Sequence, residues 1–453
     1  MVIFQLIKNN TMKFIFKILT HIKILYNRPA MQKNLRNLYE YHLKQRNIDF
    51  KESKETLLLK ILKYSQLHCP YYKDLYLKND INLSNVADFN KIPFLDKEII
   101  KKNFSSMQSI EKKGVTYYIM NTGGTSGSPL TFPVSSHYDG LHQEFAFKLL
   151  GYCKGDKIIA VDGSEICEKQ IKQNIFWKKV SSCNLPYGSI AFSALYMTND
   201  TIQHYVNQLN VECPSFLRGY PTAINYLAVY LIENGIDLTF KMKAIQLTAE
   251  TIFEEQILNI QKAFKCKVGL QYGHSEVSVF AYTIDDSYEY FCSPFYGNTE
   301  VIGISGSHVE IGEIGEIVVT GFYNKAMPFI RYKTGDLALY NGTVDGIVKF
   351  KHIFGRTQDF LYDKFGQKVF LIGLIYGGHH EFLNHIKKWQ IIQNRFGYIT
   401  IKIVRGNSFS IIDEKTIEEL FFKNHGIIST INIVDEIQLT ERGKTKFVIQ
   451  TAS

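Results

Sequence analysis

The stretch Asn121-Thr122-Gly123-Gly124-Thr125-Ser126-Gly127-Ser128-Pro129 follows a short run of β-forming residues that ends at Met120. Its three glycines let the backbone approach an oxyanion with N–H groups pointing inward, and its hydroxyl side chains add further donors. It is not a Walker loop, because that motif places Lys and then Ser or Thr after the last glycine, whereas Ser128-Pro129 follows here. Taken alone, the segment is equally compatible with a phosphate-binding loop and with a polar turn.

Around this segment, short apolar runs rich in Val, Ile and Tyr alternate with helical patterns. The runs lie at residues 115–120, 157–161, 244–247 and 267–272. Residues 31–105 have mostly helical apolar spacing, and a smaller pattern of strands and helices begins after Gly355-Arg356, with strands expected at 431–437 and 447–449. The alternation predicts a multidomain α/β protein in which sheets are covered by helices. We divide the chain into an N-terminal extension (1–30), a large domain (31–357) and a small α+β C-terminal lid (358–453).

Composition limits the class of protein. The chain has 453 residues, which favours two or more domains, and 45% of them are hydrophobic, which is typical of globular proteins. Its formal charge of +9 comes from Lys and Arg spread along the whole chain, so a dense nucleic-acid-binding tract is not indicated. Seven cysteines form no CxxC pair, which favours a cytoplasmic protein with buried free thiols.

The N-terminal extension is basic and apolar. Its apolar residues are interrupted by Lys13, Lys17 and Lys23, so no uncharged run approaches the ~20 residues that a membrane span needs. Two interpretations remain open: an amphipathic helix that contacts an anionic membrane at its inner face, or a helix packed on the large domain, with Met12 as an alternative start. We favour packing, because basic amphipathic stretches are commonly solvated helix faces.

Further segments carry chemistry-bearing side chains, each a weak signal by itself. Gln271-Tyr272-Gly273-His274-Ser275-Glu276 ends a β-like run with a ring, a hydroxyl and a carboxylate. Met327 to Asp336 places a carboxylate in what we expect to be a loop after a strand, where a ribose diol could bind. Arg356 and Lys444 add cations, each beside a glycine.

Taken together and in this order, the segments resemble the adenylate-forming superfamily of acyl-CoA synthetases, peptide-synthetase adenylation domains and luciferase. Four more stretches are similar to the phenylacetate-CoA ligase-like family, and most of all to its capsular-polysaccharide (CapK-like) branch. They are 69–72 (Cys-Pro-Tyr-Tyr), 92–98 (Ile-Pro-Phe-Leu-Asp-Lys-Glu), 218–222 (Arg-Gly-Tyr-Pro-Thr) and 326–332 (Ala-Met-Pro-Phe-Ile-Arg-Tyr). The resemblance covers nearly everything after residue 30.

The resemblance implies the fold and the role of each site residue. The large domain would be the AMP-binding domain, and the lid would close for adenylation and rotate for a second half-reaction. The implied nucleotide-binding residues are Thr122, Gly123, Gly124, Thr125, Ser126 and Gly127 for the β- and γ-phosphates, Ala249, Glu250, Tyr272 and Gly273 at the adenine, Ser275 at the α-phosphate, and Asp336 and Arg356 at the ribose. Glu276 would ligate Mg²⁺, and Lys444 would bridge the substrate carboxylate and the α-phosphate. Lys444, Glu276 and Arg356 are thus the implied catalytic residues.

These roles fit the chemistry that ATP-dependent acid activation needs. A carboxylate that attacks a phosphate must overcome repulsion between anions, so cations carry much of the rate. No general base is required, because the nucleophile is already ionised at neutral pH. The implied cofactors are ATP and Mg²⁺; the partners are a carboxylic acid and either CoA or a sugar or amine acceptor.

The chain departs from the family pattern in two places. The family often has Asp two residues after the Gly-Arg arginine, where this chain has Gln358 followed by Asp359. In the family, the final lysine usually follows a Pro-x-Thr-like stretch, whereas here Leu439-Thr440-Glu441-Arg442 precedes Gly443-Lys444. Lys446 is therefore an alternative to Lys444.

The sequence does not indicate a zinc site or a hydrolase. Cys292 has no companion for zinc, and His380 and His385 would lie about 140° apart on a helix, so surface or structural histidines are expected. No GxSxG elbow supports a hydrolase. The leading hypothesis is acyl-AMP formation followed by transfer to CoA or to a sugar or amine in surface-polysaccharide assembly. The alternatives are a phenylacetate-type aryl-CoA ligase and a non-catalytic nucleotide-binding scaffold.

Overall fold

The computed structural model describes residues 28–111, 117–121, 130–135, 138–356, 360–371 and 380–452. The N-terminal extension up to residue 27, the predicted phosphate loop at 122–127 and the predicted domain boundary at 357/358 lie outside these residues. The chain divides into two compact units, one of Met1–Leu149 with Tyr272–His352 and the other of Leu150–Gln271 with Ile353–Ser453. In the described part of the chain, no helix is both long and apolar enough to cross a membrane.

The first unit begins with helices, as predicted for residues 31–105. Helix α1 covers 28–44 and is followed by α2 (Lys51–His68), α3 (Pro70–Lys78), α4 (Lys97–Lys102) and α5 (Phe104–Met107). The turn at Cys69-Pro70 starts α3, because Pro at the first helical position needs no hydrogen-bond partner for its nitrogen. The hydroxyl of buried Tyr72 donates to the Pro328 carbonyl oxygen at 2.8 Å, which ties this helical layer to the sheet of the unit.

A hairpin of β1 (Tyr117–Asn121) and β2 (Thr131–Ser135) follows, with Asn121 paired to Thr131. The helix α6 is Asp139–Leu149. The strands of this unit after residue 273 are β9 (Phe280–Tyr282), β10 (Tyr290–Cys292), β11 (Gly297–Ile302), β12 (Ile314–Gly321), β13 (Tyr332–Val344) and β14 (Ile347–Arg356). Asp345 and Gly346 join β13 to β14 with φ of 50° and 80°, as a two-residue hairpin turn requires.

The second unit contains a mostly parallel sheet. Its elements are β3 (Ile158–Asp162), α7 (Glu168–Ile171), β4 (Trp177–Lys179), β5 (Ile190–Ser193), α8 (Ile202–Glu212), β6 (Phe216–Gly219), α9 (Pro221–Glu233), β7 (Ala244–Thr248), α10 (Glu254–Phe264) and, as far as Gln271, β8 (Lys267–Gly273). Strands β5, β3, β6, β7 and β8 lie side by side in parallel, and β4 is antiparallel to β5. The predicted strands at 157–161, 244–247 and 267–272 are confirmed. Their continuous apolar runs reflect burial of both faces, which parallel sheets require.

The C-terminal part of this unit forms a second, smaller sheet. After the hairpin of β15 (Phe360–Tyr362) and β16 (Lys368–Phe370), its elements are β17 (Ile386–Arg395), β18 (Tyr398–Arg405), α11 (Ile411–His425), β19 (Ile428–Ile433) and β20 (Val448–Gln450). The strand order is β19-β18-β17-β20. A separate hydrophobic core that includes Trp389, Ile401 and Phe421 holds this α+β layer together. The strand predicted at 431–437 is found earlier, at Ile428–Ile433.

Two minor predictions need correction or comment. Only Cys69 and Cys292 of the seven free cysteines are buried, while Cys153, Cys167, Cys183 and Cys213 are exposed. His385 Nδ1 lies 3.0 Å from Oδ1 of Asp413.

Candidate active site

The strands on either side of the predicted phosphate loop lie within the described part of the structure. Residues 122–127 themselves lie outside the described residues. They fall between Asn121, the last residue of β1, and Thr131, the first of β2, whose Oγ1 donates to Asn121 Oδ1 at 2.7 Å. The segment therefore connects the two strands of an antiparallel hairpin, whereas a Walker loop leads from a strand into a helix.

In the first unit, the structure brings Tyr272 and Asp336 together. The Tyr272 hydroxyl donates to Asp336 Oδ2 at 2.7 Å. Burial raises the pKa of the Tyr272 phenol well above its ordinary value, and the charge of Asp336 raises it further. The phenol therefore stays protonated and acts as a donor that orients the carboxylate.

The sequence predicts that Asp336 lies in a loop after a strand, and the structure shows that it does not. It lies inside the long strand β13, one residue after Gly335, which has a φ of 78°. The pairing of β12 with β13 shifts register beside this point, between Glu316 and Val318. A bulge of this kind re-aims a side chain without ending the strand, which explains how a strand residue can present its carboxylate at a site.

Glu276 is buried, with 8% of its side chain exposed. The Tyr332 hydroxyl donates to its Oε1 at 3.1 Å, and His274 Nδ1 lies 3.0 Å from its Oε2. Burial raises the pKa of the Glu276 carboxyl group, but the charge of His274 and the contacts with His274 and Tyr332 outweigh it, so the pKa lies below its ordinary value. Glu276 is therefore an anion at neutral pH.

His274 and Tyr332 were quoted in the sequence motifs but given no role. The two ring nitrogens of His274 are buried and lack a partner in hydrogen-bond geometry, although Nδ1 is within ion-pair distance of Glu276. The two rings lie edge to face with centroids 6.4 Å apart. Gly273 ends β8, and Ser275 lies partly buried in the turn that follows. Their positions inside the motifs were the only sequence signal for this small cluster.

In the second unit, the structure brings Ala249, Glu250 and Lys444 together. Lys444 Nζ donates to the Ala249 carbonyl oxygen at 2.8 Å and lies 5.6 Å from the centre of the Tyr220 ring. Glu250 Oε1 accepts the Thr445 N–H at 2.9 Å, and its Oε2 accepts the Thr222 N–H at 3.1 Å. Burial raises the pKa of the Glu250 carboxyl group, and these N–H groups and the Lys444 charge oppose that shift.

The parallel sheet explains why this segment was a good candidate. Ala249 follows the carboxyl end of β7, and the last residue of that strand, Thr248, pairs with Gln271 on β8. Ala249 has a φ of 72°, which is rare for alanine and marks a strained backbone at this end of the sheet. Ligands bind outside the carboxyl ends of strands in open α/β sheets, which is where these residues lie.

Arg356 is the last residue of β14, and its side chain is outside what the structure describes. The hinge residues Gln358 and Asp359 lie outside the described residues as well. No group of three or more His, Cys, Asp or Glu side chains that could hold a metal ion occurs among the residues that are described.

Sequence comparison gives one family match and two relatives. Residues 361–451 match the CapK C-terminal domain family. The chain is 29% identical over 405 residues to protein CapK of Staphylococcus aureus, which covers 85% of this chain and 86% of CapK. It is 22% identical over 315 residues to phenylacetate-coenzyme A ligase of Pseudomonas putida, which covers 66% of this chain and 69% of that enzyme.

Solved structures share the fold at low sequence identity. A 2-hydroxyisobutyryl-CoA ligase in its postadenylation state with 2-HIB-AMP has a TM-score of 0.67 at 16% identity, covering 89% of this chain and 91% of that one. The GH3.15 acyl acid amido synthetase has a TM-score of 0.55 at 15% identity, covering 85% and 86%. The shared fold therefore spans both the large α/β part and the smaller C-terminal part of the chain.

Proposed function

We propose that the chain belongs to the CapK-like branch of the adenylate-forming, phenylacetate-CoA ligase-like enzymes, which its similarity to CapK supports, and that it activates a carboxylic acid with ATP as an acyl-AMP. A carboxylate oxygen forms a bond to the α-phosphorus of ATP. The bond from that phosphorus to the oxygen bridging to the β-phosphate breaks, and pyrophosphate leaves with the electron pair. A second nucleophile then attacks the acyl carbonyl and loses its proton, while AMP leaves with the electron pair of the acyl–oxygen bond.

The observation that carries this proposal is the placement of Lys444. Its ammonium group is fixed at the carbonyl of Ala249, in the segment that the sequence predicts for the adenine pocket. Lysine is a compact point charge, and a cation held in place can reduce repulsion between a carboxylate and a phosphate without reorganising during the reaction. This geometry supports Lys444 over Lys446 as the adenylation lysine.

The Tyr272–Asp336 pair suits the nucleoside. Asp336 keeps acceptor capacity on both oxygens after it takes one hydrogen bond from Tyr272, so it can accept the two hydroxyl groups of a ribose. The ring of Tyr272 offers an aromatic face to adenine. Gly273 lies directly after this ring, and Ser275, two residues further on, would lie near the α-phosphate.

The residues present fit a magnesium ion bound through one protein carboxylate. Mg²⁺ is usually held by one or two carboxylates together with substrate phosphates, not by an all-protein cage. Glu276 is a buried anion whose two oxygens each retain lone pairs beyond their contacts with Tyr332 and His274. When bound there, the ion would neutralise charge on the phosphates, and Thr122 to Gly127 would hold the β- and γ-phosphates.

The biological setting that we propose is surface-polysaccharide assembly, in which the acyl group passes to CoA or to a sugar or amine. The likeness to CapK across most of the chain favours this setting. The likeness to phenylacetate-coenzyme A ligase favours a second candidate, an aryl-CoA ligase. CoA-dependent formation of a thioester with an aromatic acid would identify the second candidate.

Acid-dependent ATP–pyrophosphate exchange tests the proposal. The purified protein is assayed with Mg²⁺ against aromatic, fatty, hydroxy and amino acids, with Lys444→Ala as the inactive control and Lys446→Ala as the matched control. Exchange that depends on one class of acid and is lost only in Lys444→Ala supports adenylation. ATP binding without exchange for any acid would instead identify a non-catalytic nucleotide-binding scaffold.

A further inference from the structure

The turn that carries Lys444 is a compact, internally bonded unit. Thr440 N donates to the Lys444 carbonyl oxygen at 2.9 Å, and Gly443 N donates to the Thr440 carbonyl oxygen at 2.8 Å. Lys444 N donates to Thr440 Oγ1 at 3.1 Å, and a β-bridge joins Leu439 to Thr445. Gly443 has a φ of 71°, which only glycine adopts without strain. The turn therefore presents Lys444 as a preformed element.

Three groups at the carboxyl ends of β3, β6 and β7 receive this turn. Glu250 accepts the Thr445 N–H, as described above, and so holds the turn against the start of α9 through Thr222. The Tyr220 hydroxyl donates to the Arg442 carbonyl oxygen at 3.0 Å. Gly163 lies directly under the turn, because a Cβ built on it would be 1.9 Å from the Arg442 carbonyl oxygen and 2.8 Å from Gly443 N.

The contact with the turn leaves no room for a Cβ at Gly163. Its φ is not in the left-handed region, so alanine suits its own backbone conformation. The atoms that a Cβ would meet are backbone atoms of the turn, which cannot rotate out of the way as the end of a side chain could. Any side chain at residue 163 therefore prevents the Lys444 turn from seating.

Resting on the proposed function, we infer that Glu250, Tyr220 and Gly163 form a receptor for the Lys444 turn, and that Glu250 is a positioning residue that acts through Lys444. Each carboxylate oxygen of Glu250 accepts a hydrogen bond from a backbone N–H, one from Thr445 in the turn and one from Thr222 in α9, so the side chain clamps the two segments together. The sequence prediction assigned Glu250 to the adenine pocket. The clamp gives it a distinct role that appears in the transition state and not in nucleotide binding.

Kinetics separate the two roles of Glu250. If it positions Lys444, Glu250→Ala lowers kcat for ATP–pyrophosphate exchange by about 10²-fold, because a misplacement of about 1 Å has that effect, and leaves KM for ATP within about threefold. Glu250→Gln keeps one acceptor oxygen and recovers part of that loss. If Glu250 only lines the adenine pocket, KM for ATP rises and kcat is unchanged, which would overturn the inference.

Gly163→Ala provides a second variant away from the adenine segment. We expect the same fall in kcat at unchanged KM for ATP, by at least about 10²-fold. Gly235→Ala is the control for backbone strain without a clash, since Gly235 has a φ of 60° and a Cβ there meets nothing within 4 Å, and exposed Glu254→Ala is the matched carboxylate control. Both controls should exchange like the wild type. Normal exchange in Gly163→Ala would overturn the inference.

Limited trypsin digestion tests the receptor without an activity assay. The turn contains two trypsin sites, Arg442 and Lys444, and in the seated conformation the Arg442 carbonyl oxygen and the Thr445 N–H at these sites are bonded to Tyr220 and Glu250. We expect cleavage at these sites to be at least about tenfold faster in Gly163→Ala than in the wild type or in Gly235→Ala, with fragments assigned by mass. Equal rates in all three proteins would overturn the inference. Faster cleavage in Gly163→Ala than in the wild type, together with no exchange by the wild type for any acid, would retain the receptor and reject only the proposed function.

Discussion

The hydroxyl of Tyr272 donates a 2.7 Å hydrogen bond to Oδ2 of Asp336, so the residue predicted at the adenine orients the residue predicted at the ribose. Removing only this hydroxyl in Tyr272→Phe keeps the ring and frees the carboxylate to rotate. We expect KM for ATP to rise about fivefold, equivalent to ~1 kcal/mol, with kcat changed less than twofold. ATP–pyrophosphate exchange at varied ATP measures both constants.

The control for this variant is Tyr340→Phe, which removes another phenol from the same strand as Asp336. The Tyr340 hydroxyl is hydrogen-bonded to the Thr343 hydroxyl at 2.9 Å. The Tyr340→Phe variant should bind ATP like the wild type. An unchanged KM in Tyr272→Phe would mean that Asp336 does not depend on this hydrogen bond for its orientation.

Glu276→Gln removes the buried negative charge and keeps the shape of the side chain. Because a neutral amide is a poor magnesium ligand, we expect exchange to fall by about 10²-fold or more and to need more Mg²⁺ for half-maximal rate. A magnesium titration of the exchange rate measures this shift. Glu289→Gln, which removes the partner of Lys349, is the control and should keep the wild-type magnesium dependence.

The lowered pKa of His42 predicts how the free energy of unfolding changes in acid. Burial lowers its pKa from 6.5 to about 4, and its Nε2 lies 2.8 Å from the Tyr282 hydroxyl. The unfolded chain therefore binds a proton between pH 6.5 and 4 that the folded protein excludes, so the free energy of unfolding falls as pH falls through this window. We expect this residue to contribute a loss of about 2 kcal/mol between pH 7 and pH 4.5.

Urea unfolding at both pH values checks this expectation in the wild type and in His42→Gln. The variant has no titrating imidazole, so its stability should depend less on pH by that amount. Exposed His425→Gln is the control and should follow the wild type. Parallel pH curves for His42→Gln and the wild type would contradict the prediction.

Lys387 and Glu233 form an ion pair at 2.9 Å in which only 9% and 10% of the side chains are exposed. The pair joins β17 of the C-terminal sheet to the end of α9. Because a buried charge without its partner is costly, we expect Lys387→Met to reduce the free energy of unfolding by about 3 kcal/mol.

The double variant Lys387→Met/Glu233→Met should recover to within about 1 kcal/mol of the wild type, because replacing both charges by apolar groups leaves none unpaired. Fluorescence of Trp389, two residues along the same strand and buried, follows the unfolding. A double variant less stable than either single variant would show that the pair contributes net stability.

The sequence predicted much of the fold because its signals are local. Burial of both sheet faces produces continuous apolar runs, and such runs located the strands at 157–161, 244–247 and 267–272. Helical spacing likewise located α2 at Lys51–His68. The strand predicted at 431–437 was displaced to 428–433, because strand ends depend on which neighbour they pair with, here β18.

The sequence by itself determined which residue types are available for adenylate chemistry and, through their order, the family that the chain resembles. Only the tertiary structure decided that Asp336 is presented from a bulged strand, that Tyr272 orients it, and that Glu250 holds the Lys444 turn across 195 residues of chain. A motif is a property of neighbouring residues, whereas a hydrogen bond between distant segments depends on strand register and backbone approach. Neither strand register nor backbone approach can be read from a short stretch of sequence. Gly163 belongs to no motif, and its importance became visible only when the backbone atoms packed against it were known.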